Sequence, residues 1–272
     1  MEPVVVDSKQ RGSLHRSIRA AVQHHFLGRL LQKPVQGKVL DATSLDPASN
    51  HFLAAGRHTR FCDWRFVHRA RLGVLPLNGC LLVPDRSRAC RRCDWAFEST
   101  AHVLCHCQRH SRAWKNRHGA VLKALVDEMP QEKKAVLTVE RTVRGTGSRL
   151  MPDMVLLDEE KKSAVIVDVC CPFESRREAL ATARAAKVAK YTPLVDSLQR
   201  RGYTAVCDAV VVGALGAWDP ANTGALSLLG IPSRRQPALK HKAVSGVIKW
   251  SRDIYVEHVS GHRQYTEDVT PT

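Results

Sequence analysis

Two aspartates and a lysine-bearing helix carry the strongest chemical signal in this chain. Asp153 follows Pro152 at the start of a short apolar run. Asp168 lies inside a second run, AVIVDVCC, and Asp158-Glu159-Glu160-Lys161-Lys162 separates the two. A turn centred near Glu160 sets Asp153 and Asp168 side by side across an antiparallel hairpin. Adjacent carboxylates repel unless a cation lies between them. Hard oxygen donors favour Mg2+ or Mn2+, and such an ion activates water and stabilises charge on a scissile phosphate. The plain alternative is a hairpin with solvated aspartates. A carboxylate within an otherwise apolar strand weighs against it, because an unpaired charge there is costly.

A nuclease pattern of the PD…(D/E)xK kind would place a lysine two residues after the second acid. That position holds Cys170, which cannot stabilise a developing anion. The nearest substitutes are Lys187 and its rival Lys190, about one helical turn apart on the next element. Arg184, Lys187 and Tyr191 fall on one face of that helix, at i, i+3 and i+7. A helix packed across the hairpin could aim Lys187 at the carboxylates, where it would position water or neutralise phosphate charge.

A second constellation lies upstream. Cys90, Cys93, His102 and Cys107 form C-x2-C-x8-H-x4-C. Two thiolates on a knuckle turn, closed by a His and a Cys, make a tetrahedral Zn2+ site, and a four-ligand site of this kind is structural. Cys105 and His106 compete for the last position, with His110 a weaker competitor. Arg91, Arg92 and Asp94 make the segment too polar for ordinary burial, and the arginines suggest phosphate contact.

The elements that must position these groups change texture along the chain. Residues 14–32 show helical apolar spacing ended by Pro34 and Gly37, and a second, Arg-rich helical stretch runs over Asn50–Leu72. Ser111–Met129 reads as a helix. Strands are predicted at Val136–Val143, Met151–Leu157, Ala164–Val169 and Tyr203–Val212. Helices are predicted at Ser175–Arg200, Asn222–Leu229 and Leu239–Val259, and a frayed tail at Gly261–Thr272. Residues 51–118 hold 13 basic and 4 acidic groups, within a net charge of +16. A localised basic excess points to a polyanion, most often nucleic acid. No run is long enough for a membrane helix, and the N-terminus lacks the order of a signal peptide. Nine cysteines without such a signal suggest a reducing, intracellular setting and metal ligation rather than disulfides.

The ordered set of motifs resembles the C-terminal region of non-LTR retrotransposon polyproteins with a restriction-like endonuclease, most closely the type-1 elements that insert site-specifically in ribosomal RNA genes. The matching residues are Cys90, Cys93, His102 and Cys107; Arg117-His118; Pro152-Asp153; Asp168; and Lys187-Val-Ala-Lys190-Tyr191. RARLGVLPLNG (69–79) and YTAVCDAVVVGALGAWDP (203–220) also look like family sequence. Gly119 stands where the family has Asn or Asp, and the knuckle spacer is one residue longer than usual.

The resemblance implies an α+β protein. A basic helical region (1–79) and a zinc knuckle (80–110) precede a restriction-endonuclease-like α/β core (111–232) and a C-terminal helix and tail (233–272). It implies a nuclear, Mg2+-dependent endonuclease that nicks target DNA to prime reverse transcription, with element RNA as a further partner. No Tyr-x-Asp-Asp motif occurs in this sequence, so the polymerase part is expected outside it. Asp153 and Asp168 would hold Mg2+, and Lys187 or Lys190 would assist. Arg69, Arg71, Arg91, Arg92, Arg117, His118, Arg184 and Tyr191 would contact or support nucleic acid. The rival expectations are a non-catalytic nucleic-acid-binding module and a protein-binding zinc module.

Overall fold

The computed structural model describes residues 12–54, 56–81, 85 and 87–265. The expected frayed tail lies outside the described residues from 266 onward.

The N-terminal third is helical, as its spacing predicts, but more broken. Helix α1 (Leu14–Leu31) carries the expected apolar stripe, yet none of its residues is buried. The chain then re-enters a helix at α2 (Gln36–Thr43), with Gly37 inside it rather than acting as a stop. The stretch read as one helix, Asn50–Leu72, is split. A 3-10 segment (Pro47–Leu53), capped by the Asp46 carboxylate, is followed by α3 (Phe61–Arg71). Gly56 and His58 between them have φ of 61° and 65°, values a right-handed helix cannot contain.

From Ser111 onward the order is α4 (Ser111–Glu128), α5 (Gln131–Lys134), β1 (Leu137–Val139), β2 (Met154–Asp158), β3 (Ser163–Cys170), α6 (Arg177–Arg200), β4 (Thr204–Val211), α7 (Asn222–Leu228) and α8 (Gln236–Ser260). The sheet order is β1-β2-β3-β4. The first three strands are antiparallel, and β4 joins β3 in parallel after the α6 crossover. β1 is shorter than predicted, because Glu140 turns the chain out of the strand at φ 48°.

Strand alternation sends opposite residues to opposite layers. Met154, Leu156, Val167 and Val169 join the large core, which α4 and α8 also fill through Leu125, Val244 and Ile248. Val155, Ala164 and Ile166 pack with Tyr191, Leu194 and Leu198 of α6. The large core also contains Val39, Phe52 and Leu75 from the N-terminal region and Val103 and Leu104 from the Cys/His segment. The four segments drawn from the sequence thus share a continuous apolar core. Among the described residues no helix is long and apolar enough to cross a membrane.

Two polar ties fix the helices around the sheet. The Asp41 carboxylate of α2 accepts the Arg177 backbone N–H at the start of α6 at 3.0 Å and the Arg177 guanidinium at 2.6 Å. A carboxylate there complements the positive end of the helix. Arg117 of α4 is buried and donates to Ser251 Oγ of α8 at 3.1 Å and Cys171 O at 3.5 Å. It therefore pins α4 to both α8 and the end of β3.

Candidate functional site

The β2–β3 register pairs Met154 with Val167 and Asp158 with Ser163. Continued by one residue, it sets Asp153 beside Asp168, at the open end of the hairpin. The Asp153 backbone N–H points at Asp168 Oδ1 at 3.4 Å, and Val169 N–H donates to Asp153 Oδ2 at 2.6 Å. The carboxylates are thus held through each other's strands.

Each face of the sheet delivers one basic side chain to this end. Lys187 of α6 places Nζ 2.5 Å from Asp168 Oδ2, an ionic contact outside the alignment of a hydrogen bond. Asp168 is 1% exposed, so this ammonium compensates a buried charge. Burial works against the Lys187 ammonium, but Asp168 and then Asp153 outweigh it and raise its pKa. From the other face, His118 Nε2 of α4 lies 2.7 Å from Asp153 Oδ2. Burial opposes the imidazolium, yet the bond and charge of Asp153 raise the His118 pKa. Burial likewise opposes the Asp153 carboxylate. His118, the Val169 N–H and Lys187 overcome it, and its pKa is lowered.

Of the two lysines, Lys190 turns away. Its Nζ donates to Tyr191 Oη at 2.9 Å and sits 4.6 Å from the Tyr191 ring centroid. Tyr191 is buried and donates to Met151 O at 3.2 Å. Burial, then Asp168, raises its pKa, so it remains a phenol. Cys170 is also neutral: burial, then Cys171, pushes its thiol up to about 12. A Cβ at Gly119 would meet nothing within 4 Å, so the Asn or Asp missing there leaves open space.

Sequence reasoning missed Glu140. Its backbone N–H donates to Asp153 O at 3.1 Å, and its carboxylate joins His118 and Asp153 in a group whose ligand atoms all lie within 4.8 Å of one another. A lone acid just past a short strand carries no signal, because only the turn at Glu140 brings it to the hairpin.

The Cys/His segment forms a second cluster. Cys90, Cys93, His102 and Cys107 bring their ligand atoms within 4.8 Å of one another. Cys93 Sγ lies 3.3 Å from His102 Nε2 and 3.9 Å from Cys107 Sγ. Tetrahedral zinc with Zn–S of about 2.3 Å and Zn–N of about 2.0 Å separates its ligands by about 3.5–3.8 Å, so the four donors fit that ion. Of the candidates for the last position, Cys107 is the one whose donor atom lies with the other three. Cys105 instead faces Cys171 O at 3.8 Å, His106 is exposed, and His110 bonds to His258 at 2.9 Å.

A buried relay backs this cluster. His258 of α8 pairs Nε2 with Glu98 at 2.8 Å, and its Nδ1 meets His110 Nε2 at 2.9 Å. Glu98 also takes the Arg91 guanidinium at 2.9 Å. Gly79 approaches the Glu98 carbonyl so closely that a Cβ would sit 2.8 Å from it, which explains the final glycine of RARLGVLPLNG. No sequence spacing announced this relay, since His258 stands 160 residues from Glu98.

Several arginines expected to meet nucleic acid are committed elsewhere. Arg71 is buried and donates to Leu215 O, Ser49 O and Asn50, and burial lowers its pKa to about 10. Arg117 is the α4 anchor described above. Arg184 spans Asp208, Asp219 and Asn222. Arg91 serves Glu98, and Arg92 donates to His258 O at 2.7 Å. Tyr191 is buried. Arg71 and Arg117 are buried, and burial costs a cation its hydration unless internal partners offset it, so these two side chains tie the fold together; Arg91, Arg92 and Arg184 are half-buried and engaged by the partners named above. Arg69 alone among the expected arginine contacts remains exposed.

A family described as the T26G10.4 domain matches residues 4–74, the basic helical region upstream of both clusters. No curated protein matches the chain.

Proposed function

We propose that this chain is a divalent-cation-dependent DNA endonuclease module of the retrotransposon type that its motifs resemble, and that it nicks target DNA. The observation that carries the reading is the meeting of Lys187 with Asp168 beside Asp153, at the solvent-reaching end of a hairpin. A decorative hairpin has no reason to bury one carboxylate and then bring a lysine to it from a crossover helix.

Each residue has a part. Asp153 offers its carboxylate, fixed by the Val169 N–H, toward a cation. Asp168 holds and orients Lys187. The Lys187 ammonium, 30% exposed, can reach a phosphate oxygen or the attacking water. Tyr191 and Lys190 brace α6 behind it. A bound divalent ion, Mg2+ on the all-oxygen reading of the sequence, would lower the pKa of a water and neutralise phosphate charge. The Cys90/Cys93/His102/Cys107 cluster would hold a structural Zn2+.

The test is nicking of supercoiled plasmid by zinc-loaded protein with Mg2+ or Mn2+. Wild type should nick, and Asp153→Ala and Asp168→Asn should not. Equal silence of all three, with DNA binding intact, removes the enzyme reading.

One observation favours a second reading, a nucleic-acid-binding module. The grooves between α3 and α8 are lined by His58, Lys242 and Lys249 at one end and by Arg65, Arg69 and Arg252 at the other. Exposed Phe61 and Trp64 stack beside them at 5.7 Å between centroids. Cations interleaved with aromatics suit a single-stranded backbone with stacked bases.

A further inference from the structure

We propose that the cation seat is formed by His118, Glu140 and Asp153, and that its imidazole makes the seat select Mn2+ over Mg2+. The inference rests on the hydrolase reading for its purpose, but not for its geometry. It differs from the sequence expectation that Asp153 and Asp168 share the ion.

Three elements converge on the seat. His118 comes from α4, Glu140 from the turn after β1, and Asp153 from the residue before β2; their ligand atoms lie within 4.8 Å of one another. The His118 Nε2–Asp153 Oδ2 separation is 2.7 Å. Adjacent ligands of an octahedral ion at about 2.1 Å stand about 3 Å apart, so this pair already approximates one edge of the polyhedron. Glu140 is exposed, yet its main chain is tied to Asp153 O at 3.1 Å. Its carboxylate can therefore complete a face without rearrangement of the backbone. Asp153 is oriented by Val169 N–H at 2.6 Å, the kind of outer contact that fixes a ligating carboxylate.

Asp168 is the poorer ligand. Its Oδ2 already faces the Lys187 ammonium at 2.5 Å, its Oδ1 faces the Asp153 N–H at 3.4 Å, and it is 1% exposed. A cation there would have to expel Lys187. On the His118 side the Nε2 and Oδ2 atoms, 2.7 Å apart, can both face an ion with no lysine to displace. Mg2+ prefers oxygen and dehydrates reluctantly, whereas imidazole suits later divalent ions. A His–carboxylate–carboxylate face with open positions thus favours transition-series ions, Mn2+ among them, over Mg2+.

The experiment is a Mn2+ titration of the full, zinc-loaded chain, followed by EPR, with Mg2+ as competitor. One Mn2+ should bind per chain, with nitrogen coupling from the imidazole in the pulsed spectrum. Glu140→Gln and His118→Ala should each weaken Mn2+ by about tenfold or more, since a direct ligand should cost at least what loss of outer-shell support alone costs. His118→Ala should also abolish the nitrogen coupling, and Asp168→Asn should leave Mn2+ affinity within about threefold. Glu140 is exposed, so its variant keeps the test open even where His118→Ala destabilises the fold. Mn2+ binding that ignores Glu140→Gln and fails in Asp168→Asn would overturn the proposal, as would the absence of nitrogen coupling. Plasmid nicking measured in parallel separates the two claims. Binding with the expected signature but no nicking defeats the hydrolase reading alone, and nicking that is indifferent to His118 and Glu140 defeats the seat alone.

Discussion

Lys187 and Asp168 meet across the crossover, 2.5 Å apart, one on a helix and one on the central strand it covers. The contact sets two quantities at once. Lys187 compensates a carboxylate that is 1% exposed, and its ammonium is itself 30% exposed at the open end of the hairpin. Lys187→Met should therefore lower nicking about 10²- to 10³-fold, the scale for losing one preorganised electrostatic group. It should also destabilise the protein by about 3–5 kcal/mol, because a buried charge loses its partner. Adding Asp168→Asn should recover much of the stability but none of the activity, which a double-mutant cycle in denaturant would read.

Arg117 and His118 are neighbours with opposite duties. Arg117→Ala should reduce the melting temperature sharply, since it leaves Ser251 Oγ and Cys171 O without this donor and a cavity under α4. Arg69→Ala should leave melting unchanged and lower the salt dependence of DNA binding by about one counterion. A normal melting curve for Arg117→Ala would contradict the anchoring role.

Zinc content should be one ion per chain, lost in Cys93→Ser. Trp95 stacks on His102 at 5.7 Å and 6° between planes, so removal of zinc by a chelator should change tryptophan emission. Trp95→Phe should suppress that change without altering the zinc content measured by elemental analysis.

Glu174 supplies a pH signature away from both clusters. Its Oε1 accepts Leu215 and Ala217 N–H, its Oε2 is buried without a hydrogen bond, and burial raises its pKa above the usual 4.5. The folded state therefore holds this proton more tightly than the unfolded chain does. Its contribution is fully present below pH 4.5 and is lost as pH rises through the folded pKa. Glu174→Gln should gain stability relative to wild type as pH increases from 4 to 8, about as far as melting curves are practical. A difference that shrinks with pH would rule this out.

The hairpin was legible because period-2 apolar runs around a charged turn fix register, and a carboxylate inside such a run stands out. The choice of Lys187 was legible from helix periodicity, as the Cys3His set was from spacing. The internal partners of the arginines were not legible, because composition reports charge and not burial: nothing local says that Arg71 is buried against Leu215 O or that Arg184 reaches Asp208 and Asp219. Glu140 and His258 were invisible for a related reason, since each reaches its partners only through long-range packing that no local pattern encodes. The break between the 3-10 segment and α3 turned on two residues at positive φ, which apolar periodicity does not register.

The bond from Glu98 to His258 has a consequence for how the chain is made. During synthesis the cysteines of this cluster emerge long before α8, so they spend that interval without the His258 contacts to Glu98 and His110. Closure of non-local contacts is slow, and partly folded chains expose reactive and sticky surface. Early zinc capture would protect these thiols until the last helix docks.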